Sequence, residues 1–244
     1  MKAEILGAGI GRLTMDQAVE AVTALVRASK PCRVITLNPE YLYRAATSDA
    51  ALLELVRKAD LVTADGEGIV WAGRVAGSPF PERVTGIDLM LRLMPKAAAE
   101  GWRIYLLGAA PGVAEEAAEN LRRLHPGLQV AGTHHGYFQP AEDTAVVEDI
   151  RKAAPQLLFV ALGAPKQEIW IDKYIDEIGP VVAMGVGGTF DVLAGRVARA
   201  PRWMQRLKME WLGRLVMEPS RWRRMVVLPK FAWLVLKKYR LNLR

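Results

Sequence analysis

The chain has 244 residues, of which 51% are hydrophobic and 24% are charged. This length suits one large α/β domain or two small ones, and the composition excludes a disordered chain. The single cysteine, Cys32, excludes an intrachain disulfide and fits a reducing compartment. No apolar run is long enough for a signal peptide or a membrane-spanning helix. We therefore expect a cytoplasmic protein whose contact with a membrane is peripheral.

Short apolar runs alternate along the chain with segments rich in Ala, Leu and Glu. The runs predict six strands, at 33–37, 61–64, 103–107, 128–131, 157–162 and 181–185. The segments between them predict helices near 15–28, 40–58, 86–99, 112–124, 142–153 and 166–178. Because the strands read as continuous apolar runs and not as alternating ones, they predict a parallel sheet with helices on both faces.

Charge is distributed unevenly along the chain. Residues 195–244 hold 14 Lys and Arg against two acidic residues, a net charge of +12, whereas residues 1–194 carry −5. Four of the seven tryptophans lie in the same basic segment: Trp203, Trp211, Trp222 and Trp233. This pattern predicts an α/β core over 1–194 and an appendage over 195–244 that docks on an anionic surface.

The appendage favours a membrane surface over the other anionic partners. Its outer part combines apolar side chains with Lys230, Lys237 and Lys238, and Trp233 and Tyr239 suit the interfacial zone. We expect no nucleic acid, because the glycine turns and the negative core offer neither a stacking platform nor a reading helix. A helix that packs on the core or on another subunit remains an alternative, and the sequence leaves a homo-oligomer open.

Conspicuous turns follow five of the predicted strands, at 36–39, 65–68, 108–112, 163–168 and 185–189. Ligands of open α/β sheets bind beyond the carboxyl ends of the strands, so these turns should face one crevice. Gly108, Gly185 and Gly187 would let backbone N–H groups approach the phosphates of a nucleotide diphosphate. Ordinary β–α turn chemistry explains each turn equally well.

Two carboxylates and one arginine lie at the predicted crevice. Asp65 directly follows an apolar strand, where it is either a general base that deprotonates a hydroxyl or a helix N-cap. Asp191, which follows the turn at 185–189, has the same two interpretations. Arg83 suits either a phosphate or an ion pair with Glu82 or Asp88, unless it is a solvated surface residue.

No cofactor or tightly held metal is expected. The chain has no Asp-x-Asp, Cys-x-x-Cys or His-Glu-x-x-His sequence, no Walker A motif and no complete dinucleotide fingerprint. His134 and His135 are adjacent, and neighbouring residues on a strand point to opposite faces, so they would make a poor chelate. We expect a structural or loop role for this pair.

Several motifs occur together in a fixed order. They are Asp65-Gly66-x-Gly68-Ile69, Pro81-Glu82-Arg83-Val84-x-Gly86-x-Asp88, Leu107-Gly108-Ala109, Gly132-Thr133-His134-His135-Gly136-Tyr137-Phe138, Ala161-Leu162-Gly163-x-Pro165-Lys166-Gln167-Glu168, Met184-Gly185-Val186-Gly187-Gly188-x-Phe190-Asp191, Arg199-Ala200-Pro201 and Glu210-Trp211-x-x-Arg214. Each is weak alone. As a set they resemble the WecG/TagA/CpsF family, glycosyltransferase family 26, over roughly residues 4–240, and they are most similar to its TagA branch.

This resemblance implies a Rossmann-like α/β fold with a basic helical C-terminal appendage. It also implies a metal-independent, inverting transfer from UDP-N-acetylmannosamine to undecaprenyl-diphosphate-linked N-acetylglucosamine, at the cytoplasmic face of the membrane. The product would be the disaccharide lipid that begins the linkage unit of wall teichoic acid. Another UDP-sugar donor, such as a uronic acid or a hexose, and a non-catalytic nucleotide-sugar or lipid-binding module remain alternatives.

The resemblance also implies roles for individual residues. Asp65 would be the catalytic base, with Thr36 and Asn38 lining the pocket beside it. Arg83 and Gln167 would hold the donor or its phosphates. Three arginines of the appendage would reach into the site: Arg214, Arg221 and Arg224.

Overall fold

A wholly parallel sheet of six strands forms the centre of the molecule. The structure, a computed structural model, describes residues 1–199, 204 and 225–241. A two-stranded antiparallel hairpin, β1 (Lys2–Ile5) and β2 (Ala8–Gly11), comes first. The strands of the sheet then follow in chain order: β3 (Cys32–Leu37), β4 (Leu61–Ala64), β5 (Arg103–Gly108), β6 (Gln129–His134), β7 (Leu157–Ala161) and β8 (Val182–Gly185).

The strands lie side by side in the order β4-β3-β8-β7-β5-β6, and every pairing in this sheet is parallel. The predicted fold class is therefore confirmed. The order differs from that of dinucleotide-binding sheets, because β8, the last strand, inserts beside β3, the first. This insertion brings the turn after β8 between the turns after β3 and β7, and one strand away from the turn after β4.

Helices cover both faces of the sheet. They are α1 (Met15–Arg27), α2 (Pro39–Thr47), α3 (Ala50–Lys58), α4 (Glu67–Val75), α5 (Gly86–Glu100), α6 (Val113–Leu124), α7 (Asp143–Ala153), α8 (Lys166–Ile178), α9 (Thr189–Leu193) and α10 (Val227–Leu236). Helices α1, α5, α6 and α9 pack on one face, and α2, α3, α7 and α8 pack on the other. The hairpin, α4 and α10 extend the core at the β4 edge.

The single helix predicted over 40–58 is wrong, because the structure has two helices there. Helix α2 ends at Thr47 and α3 begins at Ala50. The hydroxyls of Thr47 and Ser48 donate to the carbonyls of Tyr43 and Arg44, at 2.8 and 3.2 Å. Such side-chain bonds compete with the backbone hydrogen bonds of a continuing helix, so two hydroxyl residues in a row favour a helix end.

Helix α10, which a π-helical turn over Lys237–Leu241 follows, packs on the core. Its Phe231 and Val235 are buried with residues of α2 and α4. Beyond α10, the backbone N–H of Leu6 donates to the Tyr239 hydroxyl at 2.9 Å, which ties this end of the chain to the β1–β2 turn. Trp233, on the outer side, is 59% exposed. Within the described part of the chain, the length and apolar content of every helix fall short of a membrane span.

Candidate functional site

Two cavities open at the carboxyl edge of the sheet. The first, which we call the turn cavity, has a volume of about 240 Å³ and is lined by the turns after β3, β7 and β8. The second, the helix cavity, has a volume of about 520 Å³ and lies among α2, α4, α5 and α10. The residues that line both include Asn38, Glu40, Asp65, Gly188 and Met225. The two cavities therefore meet beside Asp65.

Asp65 directly follows β4, and its backbone continues the ladder. Its N–H donates to the Leu37 carbonyl at 3.0 Å. Its Oδ2 accepts a long hydrogen bond, 3.4 Å, from the N–H of Gly86, the first residue of α5. The N-cap position of α4 belongs to Gly66, so the interpretation of Asp65 as that helix's N-cap does not describe the structure. The carboxylate instead lies at the junction of the two cavities.

Thr36 and Asn38 line the turn cavity beside Asp65. The Thr36 hydroxyl donates to the Gly185 carbonyl at 3.3 Å, which leaves its oxygen lone pairs as acceptors. Asn38 caps α2, because its Oδ1 accepts from the Tyr41 N–H at 2.9 Å. Its amide NH₂ group is therefore the part that Asn38 can offer to a ligand.

The turn after β8 rests on the side chain of Gln167. The Gly187 N–H donates to Gln167 Oε1 at 3.1 Å, and Gln167 Nε2 donates to Glu168 Oε1 at 2.8 Å. A Cβ on Gly185 would lie 2.4 Å from Gln167 Nε2, so only glycine leaves room for this side chain. Gly185 thus has a packing role, and the Gly187 N–H already has a partner within the protein.

Glu168 is a buried acid directly under this turn. Its side chain is nearly inaccessible, with 5% of the residue exposed. Burial raises the pKa of this carboxyl to about 6, although hydrogen bonds from Gln167 and from its own backbone oppose the rise. Burial, together with the nearby charge of Glu168, also raises the pKa of Tyr41, which lines the turn cavity.

Arg83 lines the helix cavity and is one-fifth exposed. Its Nε lies 3.9 Å from Oε1 of Glu67, in the first turn of α4. Of the two partners suggested by the sequence, Asp88 lies close enough for the charge of Arg83 to contribute to lowering its pKa. Glu82 accepts from the backbone N–H of Met15, and Asp88 pairs with an arginine of the appendage.

That second arginine is Arg199, in the Arg199-Ala200-Pro201 motif. Its two terminal nitrogens lie 2.7 and 2.9 Å from the two carboxylate oxygens of Asp88, a bidentate pair. Burial raises the pKa of Asp88, but the hydrogen bonds from Arg199 and Thr85 outweigh burial and leave that pKa below its usual value. The start of the appendage is thereby fixed to α5, directly behind the helix cavity.

Other predicted site residues lie elsewhere. Gly108 ends β5 with φ +130°, and a Cβ there would lie 2.5 Å from the Ala161 carbonyl, so close packing on β7 requires this glycine. Asp191 lies in the first turn of α9, where an acidic side chain complements the helix dipole. Neither Gly108 nor Asp191 is among the described residues that line the two cavities. Arg214, Arg221 and Arg224 lie outside the described residues.

The histidine pair lies at the far edge of the sheet from Asp65. His134 ends β6 and packs edge-on against Phe138, with 5.5 Å between the ring centroids. Its Nδ1 is 2.8 Å from the carbonyl oxygen of His135. Among the residues that the structure describes, no group of three or more His, Cys, Asp or Glu is arranged to hold a metal ion.

Some residues that line the cavities were missed by the sequence interpretation. Glu40, Tyr41 and Arg44 belong to the first turns of α2 and line the turn cavity, and Trp71 of α4 lines the helix cavity. One signal was available for the first three. Asn38-Pro39 marks a helix start at the crevice, and positions three and four apart on a helix share a face.

Comparison with known proteins identifies the family to which the chain is similar. The family model described as "Glycosyl transferase WecG/TagA/CpsF family" matches residues 3–244. A Bacillus spizizenii protein is 37% identical over 218 residues, which cover 89% of this chain and 84% of that protein. A Staphylococcus aureus protein (strain MW2) is 35% identical over 241 residues, covering 98% and 94%. Both are named N-acetylglucosaminyldiphosphoundecaprenol N-acetyl-beta-D-mannosaminyltransferase.

A parallel sheet with joined cavities beyond the carboxyl ends of its strands is the architecture of a ligand-binding α/β enzyme. The family match spans nearly the whole chain, and the similarity to these relatives covers most of both sequences. The chain belongs to the WecG/TagA/CpsF family and is a glycosyltransferase.

Proposed function

We propose that the chain transfers N-acetylmannosamine from UDP-N-acetylmannosamine to undecaprenyl-diphosphate-linked N-acetylglucosamine. The reaction would invert the anomeric centre, need no metal and use Asp65 as the general base. The names of the Bacillus and Staphylococcus relatives support the transferred sugar and the acceptor. The product would begin the linkage unit of wall teichoic acid.

The position of the Asp65 carboxylate, where the turn cavity meets the helix cavity, carries this proposal. A single-displacement transfer needs one base within reach of the acceptor hydroxyl, and that hydroxyl must face the anomeric carbon of the donor. Two cavities that meet at one carboxylate support this arrangement, because each substrate could lie in its own cavity with Asp65 between them. One displacement with a departing UDP gives inversion, whereas retaining glycosidases commonly use a second carboxylate as the nucleophile.

The linings suggest which substrate each cavity takes. The turn cavity combines glycine turns with the start of α8 and with Arg44, a setting that suits a nucleotide diphosphate. The helix cavity is lined by Trp71, Leu228 and Phe231, which suit the sugar and the first lipid units of the acceptor. Arg83, which lines the helix cavity, would bind a phosphate that competes with Glu67 for its guanidinium group.

The appendage would hold the enzyme at the membrane. Beyond the buried face of α10, Trp233 is largely exposed, and Lys237 lies 5.0 Å from the centre of its ring. An exposed aromatic side chain beside lysines is the composition of an interfacial anchor. The arginines Arg214, Arg221 and Arg224 would complete the site and stabilise the leaving diphosphate, as the resemblance implies. The whole segment 195–244 would then couple membrane docking to catalysis.

A donor panel tests the proposal directly. The purified full-length chain, in detergent, is given the lipid-linked acceptor and one donor at a time. The donors are UDP-N-acetylmannosamine, the corresponding UDP-linked uronic acid and UDP-hexoses, and the release of UDP is measured. We expect acceptor-dependent release with UDP-N-acetylmannosamine. Release with another donor alone would replace the donor assignment. UDP binding without release in any combination would favour a non-catalytic nucleotide-sugar-binding module.

A further inference from the structure

A buried acid that the proposed reaction does not use lies next to the turn cavity. Glu168 is the third residue of α8, and its Oε1 accepts from Gln167 Nε2. Its other oxygen, Oε2, is buried and has no hydrogen-bond partner among the described residues. A buried carboxylate with one unpaired oxygen is costly, which prompts the question of what the group does there.

A chain of contacts leads from Glu168 to the cavity wall. Glu168 holds the amide nitrogen of Gln167, and the amide oxygen of Gln167 accepts from the Gly187 N–H. Both side chains pack under Gly185, since a Cβ there would approach Gln167 Nε2 to 2.4 Å and Glu168 Oε1 to 2.8 Å. Gly187 and Gly188 then line the turn cavity. Gln167 itself lines the cavity as well, so the carboxylate is one hydrogen bond away from a wall residue and two away from Gly187.

The chemistry of a carboxylate explains why an acid suits this position. An ionised carboxylate only accepts hydrogen bonds, so the amide of Gln167 must turn its NH₂ toward Glu168 and its oxygen toward Gly187. An amide at position 168 both donates and accepts. It would therefore tolerate the reversed orientation of Gln167, in which an NH₂ group faces the Gly187 N–H and their hydrogen bond is lost.

We propose that Glu168 is a positioning residue for the donor nucleotide: its carboxylate orients Gln167, and Gln167 holds the Gly185–Gly188 turn in the shape that binds the diphosphate. This inference rests on the proposed function, because it assigns the turn cavity to the donor. It predicts that Glu168 acts on donor binding and only through Gln167.

Binding of UDP to the full-length protein, measured by calorimetry, tests the inference. We expect Glu168→Ala to weaken UDP binding about tenfold. A factor of this order is expected when one charge-assisted hydrogen bond is lost, here the bond from Gln167 to Glu168. Glu168→Gln, which keeps the shape and an acceptor, should restore binding partly. The Michaelis constant for the acceptor should change less than the UDP affinity in both variants, because most of the helix cavity is lined by other elements, chiefly α4, α5 and α10.

A double-mutant cycle separates positioning from independent effects. If Glu168 acts through Gln167, then Gln167→Ala combined with Glu168→Ala should bind UDP no more weakly than Gln167→Ala alone, within about twofold. If the double variant instead loses UDP affinity by the product of the two single losses, Glu168 acts without Gln167 and the inference is overturned.

Asp143→Ala supplies the matched control. Asp143 is also a buried carboxylate that holds α8, through Trp170 Nε1 at 3.0 Å and the Tyr174 hydroxyl at 2.7 Å, away from the turn. It should lower thermal stability without changing UDP affinity. Equal UDP affinity in wild type, Glu168→Ala and Glu168→Gln would reduce Glu168 to a structural role. Absence of UDP binding in the wild type would instead refute the proposed function, and the inference with it.

Discussion

Replacing the buried Glu168 by glutamine should change the pH dependence of stability by a defined amount. Burial raises the pKa of this carboxyl from 4.5 to about 6 in the folded protein. One pKa unit corresponds to about 1.36 kcal/mol, so a gap of about 1.5 units corresponds to about 2 kcal/mol. Glutamine has nearly the same shape and no proton to lose, so it removes this pH-dependent contribution.

Whether stability rises or falls with pH depends on which state, folded or unfolded, binds the Glu168 proton more tightly. Between pH 4.5 and 6, the folded protein holds the Glu168 proton and the unfolded chain has lost it. The free energy of unfolding of the wild type therefore falls as pH rises through this window, and the full penalty is present above it. The amide NH₂ of glutamine near the unpaired Oε2 position carries its own cost, but that cost is the same at every pH.

Urea unfolding of wild type and Glu168→Gln at pH 4 and pH 8 measures the effect. We expect the variant to gain about 2 kcal/mol relative to wild type on going from pH 4 to pH 8. A surface variant, Glu119→Gln, reports the background change from losing any one carboxylate. A pH-independent difference between the Glu168 variant and wild type would show that burial does not control this acid. A loss in place of a gain would show that the ionised form is the one the fold stabilises.

Four further outcomes follow from the site and the appendage. Asp65→Asn should lower turnover about 10²–10⁴-fold with UDP affinity unchanged. The control Asp149→Asn, at a residue that lines neither cavity, should leave turnover intact. Unchanged turnover in Asp65→Asn would show that Asp65 is not the base. Gly185→Ala should lose UDP affinity in calorimetry, because its Cβ would collide with Gln167, whereas Gly9→Ala, whose Cβ would meet only Lys2 at 3.5 Å, should not. Tyr239→Phe should cost about 1 kcal/mol in urea unfolding, the value of the hydrogen bond from Leu6, and an equal stability would make that bond incidental. Trp233→Ala should weaken sedimentation with anionic vesicles several-fold without changing UDP affinity, and undiminished sedimentation would place the membrane contact elsewhere.

The parts of the fold that depend on local patterns were predictable from the sequence. Continuous apolar runs identified all six strands of the sheet, and the position of Asp65 and Asn38 directly after two of them placed both at the crevice. The β1–β2 hairpin was missed, because strands of four residues with glycines give little periodicity. Helix α4 was missed because its start, directly after Asp65-Gly66, was interpreted as a turn.

The parts that depend on which elements become neighbours were not predictable. A list of parallel strands does not state their order, so nothing in the sequence placed β8 beside β3. The contact of Arg83 with Glu67, 3.9 Å apart, depends on how α4 sits against the loop before α5. The chain from Glu168 through Gln167 to Gly187 depends on side-chain directions across the turn. The sequence could place these residues at one edge but not assign their partners.

Glu168 connects the stability and the function of this enzyme. Replacing it by glutamine should remove a pH-dependent loss of stability and should also weaken the binding of UDP. A buried acid with an unpaired oxygen lowers stability at neutral pH, and groups that cost stability while shaping a cavity wall are typical of functional sites. Relative to wild type, Glu168→Gln should therefore gain stability between pH 4 and pH 8 and bind UDP more weakly. The variant could instead gain this stability and still bind UDP as tightly as wild type. Glu168 would then lower the stability of the fold without positioning the 185–188 turn, and the positioning role would be excluded.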